Sequence, residues 1–245
     1  MNNYIPSEFT LAEFEKLLRL ASNHFKFKKY TDPRSNENSI LWRHDIDFSL
    51  EQAVKLAKIE SNHQIQSTYF IHLHSEFYNA LDLGSLALIK EIVSYGHALG
   101  LHFDIAYYNL QSLKQLNYWL LFEKNILESL FEQEISVFSF HNTSEYSMSF
   151  EDEIYAGMIN TYSHYFKNQV HYCSDSNGHW RYRKLLDVLS DPSITQLQVL
   201  THPEWWTTEA QMPREKIIQY IDSRRAITLF NYDKALEIAG RINIG

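Results

Sequence analysis

The stretch Trp42-Arg43-His44-Asp45-Ile46-Asp47 follows a short apolar run, Ser39-Ile40-Leu41, and places two carboxylates and an imidazole where a predicted strand ends. Later predicted strands also end in histidine or aspartate, at His72 and His74, His102 and Asp104, His141, Asp175, and His202. Strand ends in a parallel β/α barrel converge on one face, so these side chains are expected to meet in space although they are far apart in sequence. The pattern therefore predicts a functional site at the carboxyl ends of the strands.

The regions between these strands have the pattern of helices. Thr10-Leu11-Ala12-Glu13 and Ser49-Leu50-Glu51-Gln52 are typical of capping boxes that open amphipathic helices. Strands are predicted over residues 39–43, 66–73, 97–103, 135–140, 169–174 and 196–201, and the main later helices over 83–95, 111–133, 181–189 and 214–238. Residues 142–168 are polar and tyrosine-rich and are predicted to form an elaborated loop. The alternation of strand and helix predicts an α/β fold with parallel pairing and right-handed crossovers, in a closed or nearly closed barrel.

The composition fits a single domain over residues 1–245. Hydrophobic residues make up 44% of the chain, there are only 7 Gly and 5 Pro, and no linker, charge block or repeat marks a boundary. Aromatic residues make up 15%; most are expected in the core, and some could line a sugar-binding cleft. The single cysteine, Cys173, excludes an intramolecular disulfide and is expected to be a small buried apolar residue.

Charge and hydropathy argue against several classes of partner. The formal net charge of -8 and the pI near 5.8 disfavour binding to nucleic acid or to anionic membranes, because both need a clustered basic surface. The longest apolar stretch, residues 118–131, contains charged side chains and is not a membrane span. Residues 1–8 have neither a basic leader nor an apolar signal core, so a cytoplasmic location is expected.

Asp45 and Asp47 are the first candidates for chemistry. Residues two apart in a strand share a face, so both carboxylates could reach one pocket. Together with histidines from other strands, they form the donor set expected for a divalent metal, and zinc or another first-row metal suits it best. One carboxylate could bind the metal while the other stays free. The structural alternative is that Asp47 caps the following helix.

Several histidines could complete such a site. His102 and His141 are the candidate metal ligands, and Asp104 could orient His102 or bind the metal directly. Two glycines in the run 96–101 suggest close backbone packing or a bulge near the site. One of His72 and His74 could line the pocket, or both could form a polar rim.

Two further histidines are expected to be structural. His44 should face away from Asp45, because it is the neighbouring residue of the same strand. His97 lies at the start of its predicted strand, away from the end where the site is expected.

His202 is the candidate for proton transfer. It is fixed by the following Pro203 and flanked by Trp205 and Trp206, an environment that suits a general acid or base beside an apolar substrate group. The alternative is a surface loop whose tryptophans fill core. Asp175 and Arg181 could orient a catalytic aspartate or histidine, or they could belong to a turn and a helix cap.

These residues resemble the motifs of the polysaccharide deacetylase family (carbohydrate esterase family 4, NodB-homology domains), in a divergent branch with a His-Asp-x-Asp first motif. Residues 41–47 are similar to the family's Thr-Phe-Asp-Asp-Gly motif, which implies that Asp45 is the catalytic base and Asp47 a metal ligand. Because one extra residue separates the two carboxylates here, swapped roles remain open. The resemblance covers nearly the whole chain.

The later motifs match in part. Residues 96–102 resemble Gly-His-Glu-Ile-Gly-Asn-His, which implies that His102 is a metal ligand, but the partner histidine expected four residues later is Ala106. His141 or Asp104 would have to substitute for it. Leu200-Thr201-His202 is similar to the family's last motif, which implies that His202 is the general acid. In the degenerate middle motifs the corresponding residues are Asp175, Trp180 and Arg181.

The resemblance implies an irregular (β/α) barrel of about seven parallel strands. It also implies a metal-dependent deacetylase that removes an acyl group from an N-acylated sugar or glycan precursor. The expected cofactor is a divalent metal, zinc above all, the expected partner is a carbohydrate substrate, and Trp205 joins the expected substrate-binding residues. Two alternatives stay open: a catalytically decayed barrel that serves as a carbohydrate-binding or interaction module, and a different metal-dependent amidohydrolase.

Overall fold

Strands and helices alternate along the chain in this computed structural model, which describes residues 4–32, 34 and 36–244. The strands are β1 (Lys26–Phe27), β2 (Ser39–Ile46), β3 (Thr68–Ile71), β4 (Ala98–Phe103), β5 (Val137–Phe140), β6 (Ile154–Tyr155), β7 (Met158–Asn160), β8 (His171–Ser174) and β9 (Gln196–Thr201). The helices are α1 (Leu11–His24), α2 (Leu50–Asn62), α3 (Leu83–Ser94), α4 (Leu113–Phe131), α5 (Glu145–Met148), α6 (His164–Gln169), α7 (Leu185–Leu189) and α8 (Pro213–Ile238). Short 3-10 turns occur at Pro6–Phe9, Ser176–Gly178 and Pro203–Trp205.

All nine strands found in the described residues belong to one sheet. Its order is β6-β7-β5-β4-β3-β2-β9-β8, and β1 pairs with the start of β2. Every pair is parallel except β6 with β7. The predicted α/β fold of mostly parallel strands is confirmed. The sheet curls into a half-barrel, because no pairing joins β6 to β8 within the described ranges.

The segment predicted as an elaborated loop is more regular than expected. Residues 142–168 contain α5, β6 and β7 and the start of α6, and β7 extends the sheet beyond β5. These elements have two to six residues each, too few for a hydrophobic period to stand out in the sequence. The predicted strand at residues 39–43 also continues to Ile46, so Asp45 lies inside β2 and not after it.

The predicted helix starts at Thr10 and Ser49 are present. Thr10 Oγ1 accepts a hydrogen bond from the Glu13 amide at 3.2 Å, and Ser49 Oγ accepts one from the Gln52 amide at 3.2 Å. Each bond satisfies an amide that has no partner within the first helical turn. Both helices then pack their buried faces on the outside of the sheet.

Alternation along the strands sorts side chains into two layers. On β3, Tyr69 and Ile71 point outward into the core beneath the helices, while Phe70 belongs to a separate inner cluster. Gly100 of β4 lies against the Phe70 ring, and a β-carbon at this position would be 2.6 Å from Phe70 Cε1. Here the close packing suggested by the glycine-containing run is present, and it brings β3 and β4 together just below their carboxyl ends.

Two further buried side chains belong to the later part of the chain. Cys173 of β8 is 3% exposed and its Sγ lies 3.6 Å from the Arg183 carbonyl oxygen; burial raises the pKa of its thiol to about 12. In α8, Lys216 Nζ donates to the Phe9 and Trp205 carbonyls, and the residues that follow it are exposed or half-buried. Across the described residues, each helix is too short or too polar to cross a membrane.

Candidate functional site

Asp45 is held inside the half-barrel by an arginine of its own strand. Arg43 and Asp45 are two residues apart on β2 and point inward together, with exposures of 0% and 2%. Arg43 Nη2 donates to Asp45 Oδ2 at 3.1 Å, and Thr161 Oγ1 and the Tyr162 hydroxyl accept from the guanidinium at 2.6 and 2.7 Å. Asp45 Oδ1 has no hydrogen-bond partner within residues 4–32, 34 and 36–244. The carboxylate is therefore charge-paired on one oxygen and open on the other.

Asp47 lies at the centre of a group of histidines. Its Oδ1 is 3.1 Å from His102 Nε2 and 4.0 Å from His141 Nε2, and its Oδ2 is 3.9 Å from His202 Nε2. Burial alone would raise the pKa of Asp47, but the contact with His102 and the charges of the surrounding imidazoles hold that pKa well below its usual range. Asp47 is thus ionised and is surrounded by nitrogen donors, as a metal-binding carboxylate would be.

His102 connects the two aspartates through a serine that the sequence did not single out. Its Nδ1 is 2.7 Å from Ser139 Oγ, which in turn lies 3.5 Å from Asp45 Oδ2. If the hydroxyl donates to the carboxylate, it accepts from His102 Nδ1–H, and the lone pair of Nε2 then faces Asp47. The lone pairs of His102 Nε2 and Asp47 Oδ1 repel each other when they face, so this arrangement needs a proton or a cation between these two atoms.

Asp47, His72 and His141 form a group that could hold a metal ion, because their donor atoms all lie within 4.8 Å of one another. The His72 and His141 rings are 4.2 Å apart between centroids. Burial, together with the neighbouring His102 and His141, lowers the pKa of His72 to about 3. His72 is therefore neutral, the form in which an imidazole binds metals.

Asp104 contacts His141 and not the predicted partner His102. Its Oδ2 is 3.4 Å from His141 Nδ1 and 3.9 Å from His72 Nε2, and its Oδ1 accepts from the Ala106 amide at 2.9 Å. The contact with His141 is the main cause that lowers the pKa of Asp104 to about 2, against the effect of burial. Burial would lower the pKa of His141, but the contact with Asp104 and the charge of Asp47 outweigh it and raise that pKa.

His202 is bound to Asp175, as the sequence allowed. The His202 Nδ1 and Asp175 Oδ1 atoms are 2.6 Å apart, and the His202 amide and Trp206 Nε1 also donate to this carboxylate. Burial would lower the pKa of His202, yet the charge of Asp175 and the hydrogen bond to it raise that pKa to about 10. The imidazole is therefore a cation near neutral pH.

Glu204 is a buried acid that the sequence did not reveal. It lies two residues after His202, its exposed fraction is 4%, and its Oε2 has no hydrogen-bond partner in the described part of the chain. Burial, and next the negative charge of Asp47, raise the pKa of Glu204 well above its usual range. The only sequence signal was its position in the segment after His202.

The two predicted tryptophans lie behind the site. Trp180 stacks on Phe9 at 5.3 Å between ring centroids, and Trp205 packs near Gly178; each is 8% exposed. Neither ring is among the described residues that line the cleft, and a role for them in substrate binding or in supporting the site stays a prediction. The 3-10 turn at Pro203–Trp205 directs this segment into the core, which was the alternative for the tryptophan pair.

An open cleft of about 580 Å³ gives access to these groups. Its floor carries Asp45, Asp47, His102, His141 and His202. Its walls are polar and aromatic and include Asn142, Tyr162, Lys167, Tyr172, Arg181, Tyr182 and Gln198. The structure therefore brings Asp45, Asp47, His102, His141, His202 and Arg181 to one cavity, with Asp104 and Asp175 directly behind the histidines they contact.

The other predicted histidines lie apart from this cleft. His44 contacts Glu60 and Thr201 at 2.9 and 2.8 Å on the outer face of β2. His97 lies 3.1 Å from the Ser67 amide and 2.9 Å from the Ala57 carbonyl oxygen. Both therefore have the structural surroundings expected for them.

Comparison with known proteins gives solved structures only. No protein-family model matches the chain, and no curated protein matches it. Similar structures include a CE4-family pseudoenzyme from Bacillus anthracis, with 15% identity, 78% of this chain and 63% of that chain covered, and a TM-score of 0.47. A family 4 carbohydrate esterase from Bacillus anthracis has 12% identity, 85% of each chain covered and a TM-score of 0.46. PdaA of Bacillus subtilis, a family 4 carbohydrate esterase, has 13% identity, 86% and 83% covered, and a TM-score of 0.42.

Proposed function

We propose that this chain is a metal-dependent amide hydrolase that removes an acyl group from an N-acylated sugar or glycan precursor. The observation that carries the proposal is that one cleft holds a charge-paired aspartate, Asp45, an ionised aspartate among imidazoles, Asp47, and a cationic histidine, His202. A base, a cation site and an acid are the three parts that hydrolysis of an amide by this route requires.

The residues present fit a bound cation. His72 Nε2 is buried and has no hydrogen-bond partner in the described ranges, which is unusual for a polar atom unless something else binds it. Asp47 Oδ1 is also buried, with His102 Nε2 at 3.1 Å. One carboxylate oxygen with imidazole nitrogens is the donor set of zinc, which we infer to be the metal. Asp47 and His141 would hold it, with His102 or His72 as the third ligand. When bound, such an ion lowers the pKa of water and polarises an acyl carbonyl.

The chain's own groups then have distinct tasks. Asp45 accepts the proton of the attacking water at its unpaired Oδ1, and Arg43 holds its other oxygen in place. His202 carries a proton near neutral pH and donates it to the departing nitrogen, while Asp175 keeps it oriented. The two roles are distinct, because Asp45 has an open carboxylate oxygen that accepts a proton, whereas His202 is a cation that donates one.

The cleft suits a sugar in size and lining. A volume of about 580 Å³ is within the range common for small-molecule sites. The hydroxyls of Tyr162, Tyr172 and Tyr182 and the amides of Asn142 and Gln198 offer donors and acceptors for sugar hydroxyls. Aromatic faces among them could pack on a pyranose ring.

The experiment is the release of acetate from N-acetylated sugars by the zinc-incubated protein and by its Asp45→Asn variant. We expect kcat to fall by roughly 10²–10⁴-fold, the usual contribution of a general base, while metal content stays the same. Asp191→Asn makes the same chemical change at a half-buried loop residue outside the cleft and should leave kcat unaltered. Normal turnover by Asp45→Asn would contradict the mechanism.

A carbohydrate-binding or interaction module is the second candidate, and Ala106 favours it. This residue is exposed, its amide donates to Asp104 Oδ1, and its methyl side chain has no atom that could bind a metal. Elemental analysis separates the candidates: less than about one-tenth of a metal ion per chain after zinc incubation would favour the module. If metal binds but N-acetylated sugars release no acetate, a panel of small cyclic and linear amides tests for a different amidohydrolase.

A further inference from the structure

The register of the sheet places His72 beside Asp47 and His102. Phe70 pairs with Asp45 on one side and with Gly100 on the other, and Ile71 pairs with Ile46 and Leu101. One residue further along all three strands, the neighbours are Asp47, His72 and His102. Because alternate residues share a face, His72 points to the same interior as Phe70. Three parallel strand ends therefore bring their polar residues into one row.

His72 differs from the other buried histidines in its surroundings. His44 contacts Glu60 and Thr201, and His97 contacts the Ser67 amide and the Ala57 carbonyl oxygen. His72 is 4% exposed, but its Nε2 has no hydrogen-bond partner in the described structure. Its ring lies against the His141 ring at 4.2 Å between centroids. A buried nitrogen of this kind, next to another imidazole and near an ionised carboxylate, is arranged as a metal ligand.

We propose that His72, Asp47 and His141 are the protein ligands of the metal, so that His72 takes the place that Ala106 cannot fill. This inference rests on the proposed function in so far as it assumes a bound metal. Ligand atoms about 2.0–2.2 Å from one ion are separated from each other by no more than about 4.4 Å, and the donor atoms of this group all lie within 4.8 Å of one another. Three protein ligands leave one position open for water, as catalytic zinc sites do.

In this arrangement His102 is a positioning residue. Its Nδ1 contacts Ser139 and its Nε2 contacts Asp47, so it fixes the carboxylate. Asp104 has the corresponding task at His141, where a carboxylate on Nδ1 leaves Nε2 for the metal. If His102 were a ligand as well, the site would have four protein ligands and no open position.

The test measures metal affinity and not turnover. The chelator-treated full chain is titrated with Zn²⁺ by calorimetry and with Co²⁺ by visible absorption, which reports the ligand number. We expect His72→Ala to weaken Zn²⁺ binding by more than about 100-fold, and His102→Ala by about 10–100-fold, the usual effect of losing a group that orients a ligand. His74→Ala is the matched control, because His74 is two residues away and contacts Tyr108 and Glu123 instead. The Zn²⁺ affinity of His74→Ala should equal that of the wild type.

The outcomes separate this inference from the function. Wild-type Zn²⁺ affinity in His72→Ala, or a loss in His102→Ala as large as that in His72→Ala, would overturn the ligand assignment and leave the hydrolase proposal intact. If metal binding depends on His72 but the wild type releases no acetate, the ligand assignment is supported and the proposed hydrolase function is contradicted. If alanine unfolds the chain, His72→Gln keeps a polar side chain of similar size, and its Co²⁺ spectrum should show the same loss.

Discussion

At the scale of single residues, the pairing of Arg43 with Asp45 decides how a charged carboxylate can lie inside the half-barrel. Both side chains are almost fully buried, and Arg43 makes three hydrogen bonds there. An ionised carboxylate in such a place is tolerated only when a partner charge accompanies it. Arg43 therefore supplies the partner charge that Asp45 needs inside the half-barrel.

We expect Arg43→Leu to lower the free energy of unfolding by roughly 3–5 kcal/mol, because Asp45 would be left as a buried, unpaired charge. Urea unfolding followed by circular dichroism measures this. Arg181→Leu is the control, since Arg181 is an exposed residue of the cleft wall and its loss should change stability by no more than about 0.5 kcal/mol. Equal effects of the two substitutions would show that the buried pair has no special role in stability.

At the scale of elements, the contact between β3 and β4 brings the strand ends that carry His72 and His102 close together. Gly100 leaves room for the Phe70 ring, and two residues beyond them the chain presents His72 and His102. The ring centroids of these two histidines are 5.7 Å apart. A wider separation of the two strands would move the histidines apart, so the glycine is part of the site's architecture.

Gly100→Ala is expected to destabilise the protein by about 1–3 kcal/mol, the common cost of overpacking, because its β-carbon would lie 2.6 Å from the Phe70 ring. Thermal or urea unfolding measures the change. Adding Phe70→Leu to Gly100→Ala removes part of the clash, so the double variant should lose less than the sum of the two single changes. Strict additivity would contradict a direct contact between these residues.

At the scale of the whole molecule, much of the architecture is predictable because β2 to β5 and β9 repeat one pattern. Each is a strand that is followed directly by a histidine or an aspartate, and parallel pairing then gathers those ends. Strands β6 and β7 escape prediction because two or three residues carry no readable period. Thr161, which follows β7 and binds Arg43, is hidden for the same reason.

The candidate site is predictable only to the level of the strand ends. Alternation puts positions 72 and 74 on one face of an ideal strand, but β3 ends at Ile71, and His74 turns to Glu123 while His72 stays beside Asp47. Likewise, the pattern around His202 cannot tell whether Trp205 lines the cleft or fills the core. The directions of these side chains depend on where the chain leaves the sheet. That point is set by packing against neighbouring elements, which the local sequence pattern does not report.

The pH dependence of stability in the metal-free protein should reveal the Asp175–His202 pair. The pKa of His202 is raised from 6.5 in its unperturbed state to about 10 in the folded chain. The folded state therefore binds the proton more tightly, so the stability from this pair is fully present below about pH 6.5 and is lost as the pH rises through about 10. Urea midpoints should fall across this window, and the fall should be smaller in Asp175→Asn. If the urea midpoints of the wild type and of Asp175→Asn fell equally with pH, the result would contradict the pairing of Asp175 with His202.

Cys173 makes the chain convenient for site-specific labelling. Thiol-reactive dyes need an accessible thiolate, and a group that is 3% exposed with a pKa of about 12 offers neither access nor charge. A cysteine introduced at the exposed Ser223 on α8 would be the single reactive site in the folded protein. A fluorophore attached there could report distances to a probe in the cleft, with the native sulfur left in place.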